Sequence, residues 1–328
     1  MPMIFFRIIA AVTAISSMIT QMPLLLYNHE TTEYKDMSAN PVILDLDFCS
    51  DVDDVLAVRM ATILDKKHVC SLKAVGLTTS SKEKDLEIKA IHGLLSYDGY
   101  DDIPIGKDVL NYSEEDSRYW QTLAEYSTSE PVTDDAVVIY KNVLKQCYND
   151  VTIITTGYLT NVAKLLQDKE GYQLVQNNCK RLVVMGGSLE NGWENNFSYH
   201  KDAITATKYV LEHCPCEILF IPQDFAAKIQ IGDVLQTNYP DDPVSKALYA
   251  WGTENGRTAW DPYTTLIGCL PDGAISLIYE NVITHIYSSG EVYFENTNEK
   301  TNKILVKQNP AITNEQYKEL IDGIINLT

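Results

Sequence analysis

From residue 41 onward, short apolar runs alternate with longer stretches in which apolar residues recur at helical spacing. The short runs are rich in valine, isoleucine and leucine, and they predict strands at 42–46, 72–77, 151–155, 181–185 and 216–221. The longer stretches predict helices at 85–97, 136–147, 161–167 and 202–213, with Asp202 placed to cap the last one. This alternation predicts an α/β fold with a mostly parallel central sheet flanked by helices.

The pattern shows no internal repeat, no low-complexity tract and no convincing boundary after residue 41. We therefore expect residues 41–328 to form one domain. Within it, the segment 282–306 alternates in a way that predicts a small C-terminal antiparallel β addition. Residues 314–328 predict a closing helix.

The N-terminal segment is different in character. Residues 1–27 are mostly apolar, with one arginine as the basic region and no evident A-x-A site, and they favour an export signal or anchor. Pro23 and the polar interruptions argue against a stable membrane span. Polar residues 28–40 predict a linker. We expect an exported or cell-surface protein, and the alternative is a cytoplasmic protein that starts at Met37.

Five aspartates fall within ten residues where the first predicted strand ends: Asp45, Asp47, Asp51, Asp53 and Asp54. An apolar stretch at 55–61 follows and predicts the start of a helix. Because like charges repel, so dense a cluster calls for a cation, and carboxylate oxygens are ligands of calcium and magnesium. Ligands also bind at the carboxyl ends of strands in open α/β sheets. We predict a metal or catalytic site here; the simpler alternative is a solvated acidic loop.

Composition narrows the class of partner. The 328 residues include 26 Lys and Arg against 45 Asp and Glu, which gives a net charge of −19. This charge argues against nucleic acid or an anionic membrane as partner and favours cation binding. The seven cysteines show no zinc-type pair, so we interpret most of them as reduced, packed thiols. Assembly as a homo-oligomer is left open.

The acidic segment resembles the D-x-D-x-G-x-D-D signature of the inosine–uridine nucleoside hydrolases, with two more residues before the aspartate pair. Further segments similar to motifs of that family follow in its order, at 103–106 (IPIG), 156–161 (TGYLTN), 184–187 (VMGG) and 260–262 (WDP). The resemblance covers roughly residues 41–310. It implies a nucleoside-hydrolase-like fold and calcium-dependent hydrolysis of the N-glycosidic bond of ribonucleosides, or related N-ribosides, to ribose and free base.

The resemblance also implies roles for single residues. Asp47, Asp54 and Asp261 would give carboxylates to a Ca²⁺ ion, and Thr156 would give its backbone carbonyl. Asp47 would also accept the proton of the attacking water. Asp53 would accept a hydrogen bond from a ribose hydroxyl. The resemblance gives no place to Asp51, which lies in the two-residue expansion; the alternative is that Asp51 replaces one of these ligands.

One departure from the family concerns the sugar. An E-F-N triplet grips the ribose in many members, and Asn196-Phe197-Ser198 stands at that place here. Either the polar grip is weaker or the neighbouring Glu194 and Asn195 have taken it over. We therefore predict that Glu194, Asn196 and Ser198 contact the substrate.

A second departure concerns the leaving base. Trp260 stands where many members have a histidine that protonates the base. A tryptophan can stack on a base and contact the substrate, but it cannot act as a general acid. His200 is the nearest candidate acid in the sequence, and a surface histidine is its simpler interpretation.

Two other functions stay open. A relative that retains the metal and binds a riboside or sugar without catalysis would fit the lost histidine and the altered triplet. A phosphohydrolase of the haloacid dehalogenase type would fit the segment 45–47 after a strand. However, Cys49 replaces its expected hydroxyl residue, and no later lysine motif stands out. The acidic pair 53–54 and the late 260–261 segment favour the hydrolase or its relative.

Overall fold

The computed structural model describes residues 39–48, 51–78, 83–108, 117–147 and 150–327. The predicted signal or anchor at 1–27, nearly all of the linker and Met37 lie outside these residues. Across the described ranges, no helix is both long enough and apolar enough to cross a membrane.

A sheet of ten strands, in the order β11-β10-β12-β7-β6-β5-β1-β2-β3-β4, organises the described chain. Strands β8 and β9 form a separate antiparallel pair. The strands are β1 (Asn40–Leu46), β2 (Cys70–Leu77), β3 (Ile105–Lys107), β4 (Thr133–Asp135), β5 (Val151–Thr155), β6 (Cys179–Met185), β7 (Glu217–Ile221), β8 (Gln230–Ile231), β9 (Arg257–Thr258), β10 (Leu277–Ile286), β11 (Val292–Asn296) and β12 (Lys303–Gln308).

Helices connect these strands. They are α1 (Asp53–Lys66), α2 (Lys84–Tyr97), α3 (Trp120–Ala124), α4 (Ala136–Gln146), α5 (Thr160–Gln167), α6 (Lys169–Asn178), α7 (Asn195–Ser198), α8 (Lys201–His213), α9 (Gln223–Ala226), α10 (Asp233–Asn238), α11 (Pro243–Trp251), α12 (Trp260–Cys269) and α13 (Asn314–Ile325). The fold class is therefore the predicted one, a mostly parallel sheet flanked by helices.

The five predicted strands and four predicted helices are present, with ends that differ from prediction by at most two residues. The C-terminal addition is also present. Strand β10 is antiparallel to β11 and β12, but β12 runs parallel to β7, so the addition extends the main sheet. The closing helix α13 begins after Thr313, which forms a capping box with Gln316.

One detail of the helix prediction was wrong. Asp202 does not cap α8, because the helix begins one residue earlier, at Lys201, with His200 in the N-cap position. The side chain of His200 makes no capping hydrogen bond. Asp202 lies instead in the first turn, where its charge is favourable to the helix dipole.

Strand β1 lies inside the sheet, between β5 and β2. Val42, Leu44 and Leu46 pack into the core on one face, and Ile43 packs into the core on the other. Side chains of a strand alternate between faces, and both faces here are covered, which explains why β1 reads as an unbroken apolar run. Helix α1 covers the first face together with α12 and α13.

Helix α1 also buries an arginine. The Arg59 side chain is 1 % exposed, and its Nε and Nη2 lie 3.2 Å from Asp98 and 3.1 Å from Asp242. Asp242 additionally accepts the Val244 N–H at the start of α11. One guanidinium thus joins α1, the end of α2 and the start of α11, and it neutralises two buried carboxylates.

We predict that Arg59→Met lowers the free energy of unfolding by about 3–5 kcal/mol, because it leaves Asp242 buried without its counter-charge and Asp98 with only the more exposed Lys66, 3.7 Å away. Lys145→Met, which removes a solvent-exposed pair with Glu170, should change it by less than about 1 kcal/mol. Urea unfolding of the two variants and the parent measures both values. Similar small losses in the two variants would contradict the structural role of Arg59.

Candidate metal-binding and active site

The carboxyl end of β1 carries the first acidic residue of the site. Asp47 follows directly after the last residue of β1. Asp53 and Asp54 open α1, and Asp261 lies in the first turn of α12, more than two hundred residues later in the chain. Helices α1 and α12 pack against each other, so their N-terminal ends meet beside β1. The positive ends of two helix dipoles favour negative charge at this point.

Three of these carboxylates converge. Asp47, Asp54 and Asp261 each offer an oxygen atom, and the three atoms lie within 4.8 Å of one another. All three side chains are buried. Asp53 joins the group from the side, because its Oδ2 accepts the backbone N–H of Asp261 at 3.3 Å. The structure thus brings together the three carboxylates that the sequence predicted as ligands.

The cost of this arrangement is electrostatic. Burial raises the pKa of Asp54, and the neighbouring charge of Asp47 raises it further. Burial and the charge of Asp53 raise the pKa of Asp261 in the same way. No backbone N–H of the described residues reaches an oxygen of Asp54, and its polar contact is with the carboxyl group of Asp261. A hard divalent cation would turn this repulsion into attraction, and buried carboxylate oxygens fit such an ion.

The turn after β5 lies against the same point. The Thr156 N–H donates to the Asp45 carbonyl at 2.8 Å, and the Thr156 carbonyl accepts the Asn196 side-chain amide at 2.9 Å. A side chain at Gly157 would place its Cβ 2.7 Å from the Cβ of Asp47, so only glycine permits this approach. The turn at 156–157 therefore packs against Asp47, and the Thr156 carbonyl keeps a second lone pair for a ligand.

The predicted sugar-binding residues occupy α7 and its N-terminus. Glu194 Oε1 accepts the Asn196 N–H at 2.9 Å, while Oε2 has no hydrogen-bond partner among the described residues. Burial raises the pKa of Glu194 to about 7. The Ser198 hydroxyl accepts the Glu194 N–H at 3.5 Å. The structure thus connects Glu194 and Asn196 to the Thr156 turn and leaves Ser198 bound to the backbone of its own segment.

The residue that the sequence could not place, Asp51, forms an ion pair. Its Oδ1 lies 2.8 Å from Arg257 Nε, and its Oδ2 contacts Arg257 Nη2. The guanidinium carbon of Arg257 lies 5.6 Å from the ring centre of Trp260. Trp260 is half-buried and donates its indole N–H to the Gln223 carbonyl at 3.1 Å. Sequence reasoning missed Arg257 because no motif marks a partner 206 positions from Asp51.

His200 is not a plain surface residue. It is half-buried, and its ring packs edge-on against Tyr158 and Tyr199, with centroid distances of 5.4 Å and 4.5 Å. His200 is thus a partly exposed histidine that contacts two tyrosine rings.

A second buried layer supports the site. Asp45 Oδ1 accepts the Tyr140 hydroxyl at 2.5 Å and the Asn161 side-chain amide at 2.8 Å. Asn161 also donates to the Leu77 carbonyl at 2.9 Å, so it joins β1, β2 and α5 and does not cap its helix. Burial raises the pKa of Asp45 to about 7. These contacts hold the ends of neighbouring strands in register below Asp47.

Comparison with known proteins identifies the family. The family model described as inosine-uridine preferring nucleoside hydrolase matches residues 42–307, which include every residue of the candidate site. This chain belongs to the inosine-uridine preferring nucleoside hydrolase family. Membership places it among hydrolases that act on N-glycosyl compounds and leaves the haloacid dehalogenase alternative without support.

Individual members of the nucleoside hydrolase family are similar to this chain in sequence or in structure. The pyrimidine-specific ribonucleoside hydrolase RihA of Citrobacter koseri is 26 % identical over 221 residues, which are 63 % of this chain and 68 % of the relative. Among solved structures, the plant nucleoside hydrolase PpNRh1 superposes with a TM-score of 0.69 at 15 % identity, over 88 % of this chain and 100 % of the other. The inosine-uridine preferring nucleoside hydrolase of Bacillus anthracis superposes with a TM-score of 0.67, at the same identity and coverage. The two structures share the fold.

We predict that the calcium-free protein loses stability as pH rises from about 5 to about 8. Folding raises the pKa of Asp45 and of Glu194 to about 7. The stabilisation from these protons is present below the unfolded pKa values and is lost as pH rises through about 7. Folding lowers the pKa of other groups, such as Asp168 and Glu170, and their contribution to stability changes only below this pH range.

Calcium chloride should raise the thermal unfolding temperature more at the upper end of this range than at the lower end, because protons compete with the ion for Asp54 and Asp261, whose pKa values are raised by burial. Thermal unfolding with and without calcium measures both effects. Asp261→Asn should lose most of the calcium response. A calcium-free protein that becomes more stable as pH rises, or a full calcium response in Asp261→Asn, would contradict this account of the site.

Proposed function

We propose that this protein hydrolyses the N-glycosidic bond of ribonucleosides or related N-ribosides in a calcium-dependent reaction that releases ribose and the free base. The observation that carries the proposal is the convergence of Asp47, Asp54 and Asp261 in a member of the nucleoside hydrolase family. The similarity to a pyrimidine-specific ribonucleoside hydrolase supports a nucleoside as substrate.

The reaction needs charge at two places. Breaking a ribosyl C–N bond builds positive charge on the sugar and negative charge on the base. Asp47 accepts a proton from the attacking water, and Asp53 accepts a hydrogen bond from a ribose hydroxyl. A bound calcium ion would supply the charge that acidifies water and orients it with the ribose hydroxyls. Asp54, Asp261 and the Thr156 carbonyl would hold that ion.

Polar contacts to the sugar come from α7. Glu194 is buried, and one of its oxygens has no hydrogen-bond partner among the described residues, so a sugar hydroxyl would satisfy that oxygen. The Asn196 amide already donates to the Thr156 carbonyl, and this contact connects the sugar contacts to the proposed metal ligands. Ser198 contributes less, because its hydroxyl binds the Glu194 N–H.

We predict that Asp47→Asn lowers kcat for nucleosides by at least about 10²–10⁴-fold, because it removes the proton acceptor and one ligand charge. Asp272→Asn, in an exposed ion pair with Lys180, serves as the matched control and should leave kcat unchanged. Steady-state release of free base measures kcat, and circular dichroism checks that both variants are folded. Near-normal turnover in Asp47→Asn would exclude this residue as the base.

We predict that a nitrophenyl riboside is cleaved far faster than inosine or uridine. Trp260 cannot protonate the leaving base, and general acid catalysis typically raises a rate by about 10²–10⁴-fold. Nitrophenolate needs no proton in order to leave, so its riboside should be cleaved faster than a nucleoside by a comparable factor. Trp260→His should raise inosine turnover and hardly change the nitrophenyl substrate.

Release of nitrophenolate and of hypoxanthine, followed in parallel, gives this ratio. Equal rates in the unmodified protein would show that another side chain, with His200 the first candidate, acts as the acid. Calcium and riboside binding without cleavage of either substrate would contradict the proposed function and favour a non-catalytic binding relative.

A further inference from the structure

We propose that Arg257, held by Asp51 beside Trp260, stabilises the negative charge that develops on the leaving base. This inference rests on the proposed N-ribosyl hydrolysis and assigns to the site a cationic group for the base. It concerns two of the places where the chain departs from the family motifs, the expanded acidic loop and the tryptophan before the last aspartate.

The backbone fixes Arg257 next to the acidic cluster. It lies on β9, four residues before Asp261, and β9 pairs with β8 through Ile231. The Gly256 N–H donates to the Gln236 side chain at 3.0 Å, and the Ala259 N–H donates to the Ile229 carbonyl at 2.9 Å. The short antiparallel pair of β8 and β9 is thus fixed on both sides of Arg257, directly before α12 begins.

Asp51 then fixes the plane of the guanidinium. Arg257 uses Nε and Nη2 on Asp51, so this ion pair leaves Nη1 for another acceptor. Asp51 is itself held, because its carbonyl accepts the Tyr119 hydroxyl at 2.7 Å and its side chain accepts the Val52 N–H at 2.6 Å. The Arg257 side chain is 33 % exposed, which leaves it within reach of a ligand.

The charges of the site are arranged in the order that the reaction needs. Buried carboxylates lie where the sugar becomes positive, and Arg257 lies beside them, near enough to act electrostatically on Asp53. The guanidinium remains protonated at neutral pH, so it cannot give a proton to the base. It can donate a hydrogen bond and hold a full positive charge next to a ring nitrogen or oxygen that becomes negative. Trp260 supplies an apolar surface below it.

The decisive measurement is the change in rate on two leaving groups. In Arg257→Met, kcat for uridine and inosine should fall by about 10²–10³-fold, the usual loss when one charge-stabilising donor is removed. The nitrophenyl riboside should be nearly unaffected, because its leaving group needs no such help. Arg257→Lys should recover part of the nucleoside rate, since it keeps the charge and loses the planar fork. Arg181→Met is the matched control, because Arg181 makes a similar two-contact pair with Asp272.

A purely structural role for Arg257 predicts a different pattern. If the arginine only holds β9 against the acidic loop, both substrates should be cleaved more slowly by the same factor in Arg257→Met. That result would overturn the inference, as would unchanged rates on both substrates. If Arg257→Met does not fold, Asp51→Asn tests the same point, because it releases the guanidinium from its fixed position. This variant should hydrolyse nucleosides more slowly and leave the rate on the nitrophenyl riboside nearly unchanged. Failure of the unmodified protein to cleave either substrate would instead remove the proposed function, and this inference with it.

Discussion

Four carboxylates buried at one point are the constraint on which the rest of this structure depends. Asp47, Asp53, Asp54 and Asp261 are together because β1 ends where α1 and α12 begin. The helix dipoles reduce the repulsion, and a divalent cation would remove most of what remains. The glycine turn after β5 packs directly against Asp47, where a side chain at Gly157 would collide with it.

The same constraint explains the polarity of the site. A pocket lined by carboxylates suits a sugar that becomes positive, but it opposes a base that becomes negative. The Asp51–Arg257 pair brings a positive charge to the edge of this acidic region. The expanded acidic loop, which looks like a defect in the family signature, is thus the segment that holds the arginine in place.

The fold was largely predictable because its strands are buried on both faces and its connecting helices are amphipathic, as β1 and α8 illustrate. The site was predictable only in part. Asp47, Asp53 and Asp54 are visible as a local cluster, whereas Asp261 was found through resemblance, because nothing local marks it. The Asp51–Arg257 pair and the contacts of His200 depend on packing between distant segments, which no spacing along the chain reveals.

A crystal structure of the protein grown with calcium would test the central claim most directly. One ion with anomalous density should lie about 2.3–2.6 Å from an oxygen of each of Asp47, Asp54 and Asp261, the distance typical of calcium ligands. The Thr156 carbonyl should complete the protein ligands. Calcium bound elsewhere, or absent at saturating concentration while the three carboxylates keep their present positions, would contradict the account.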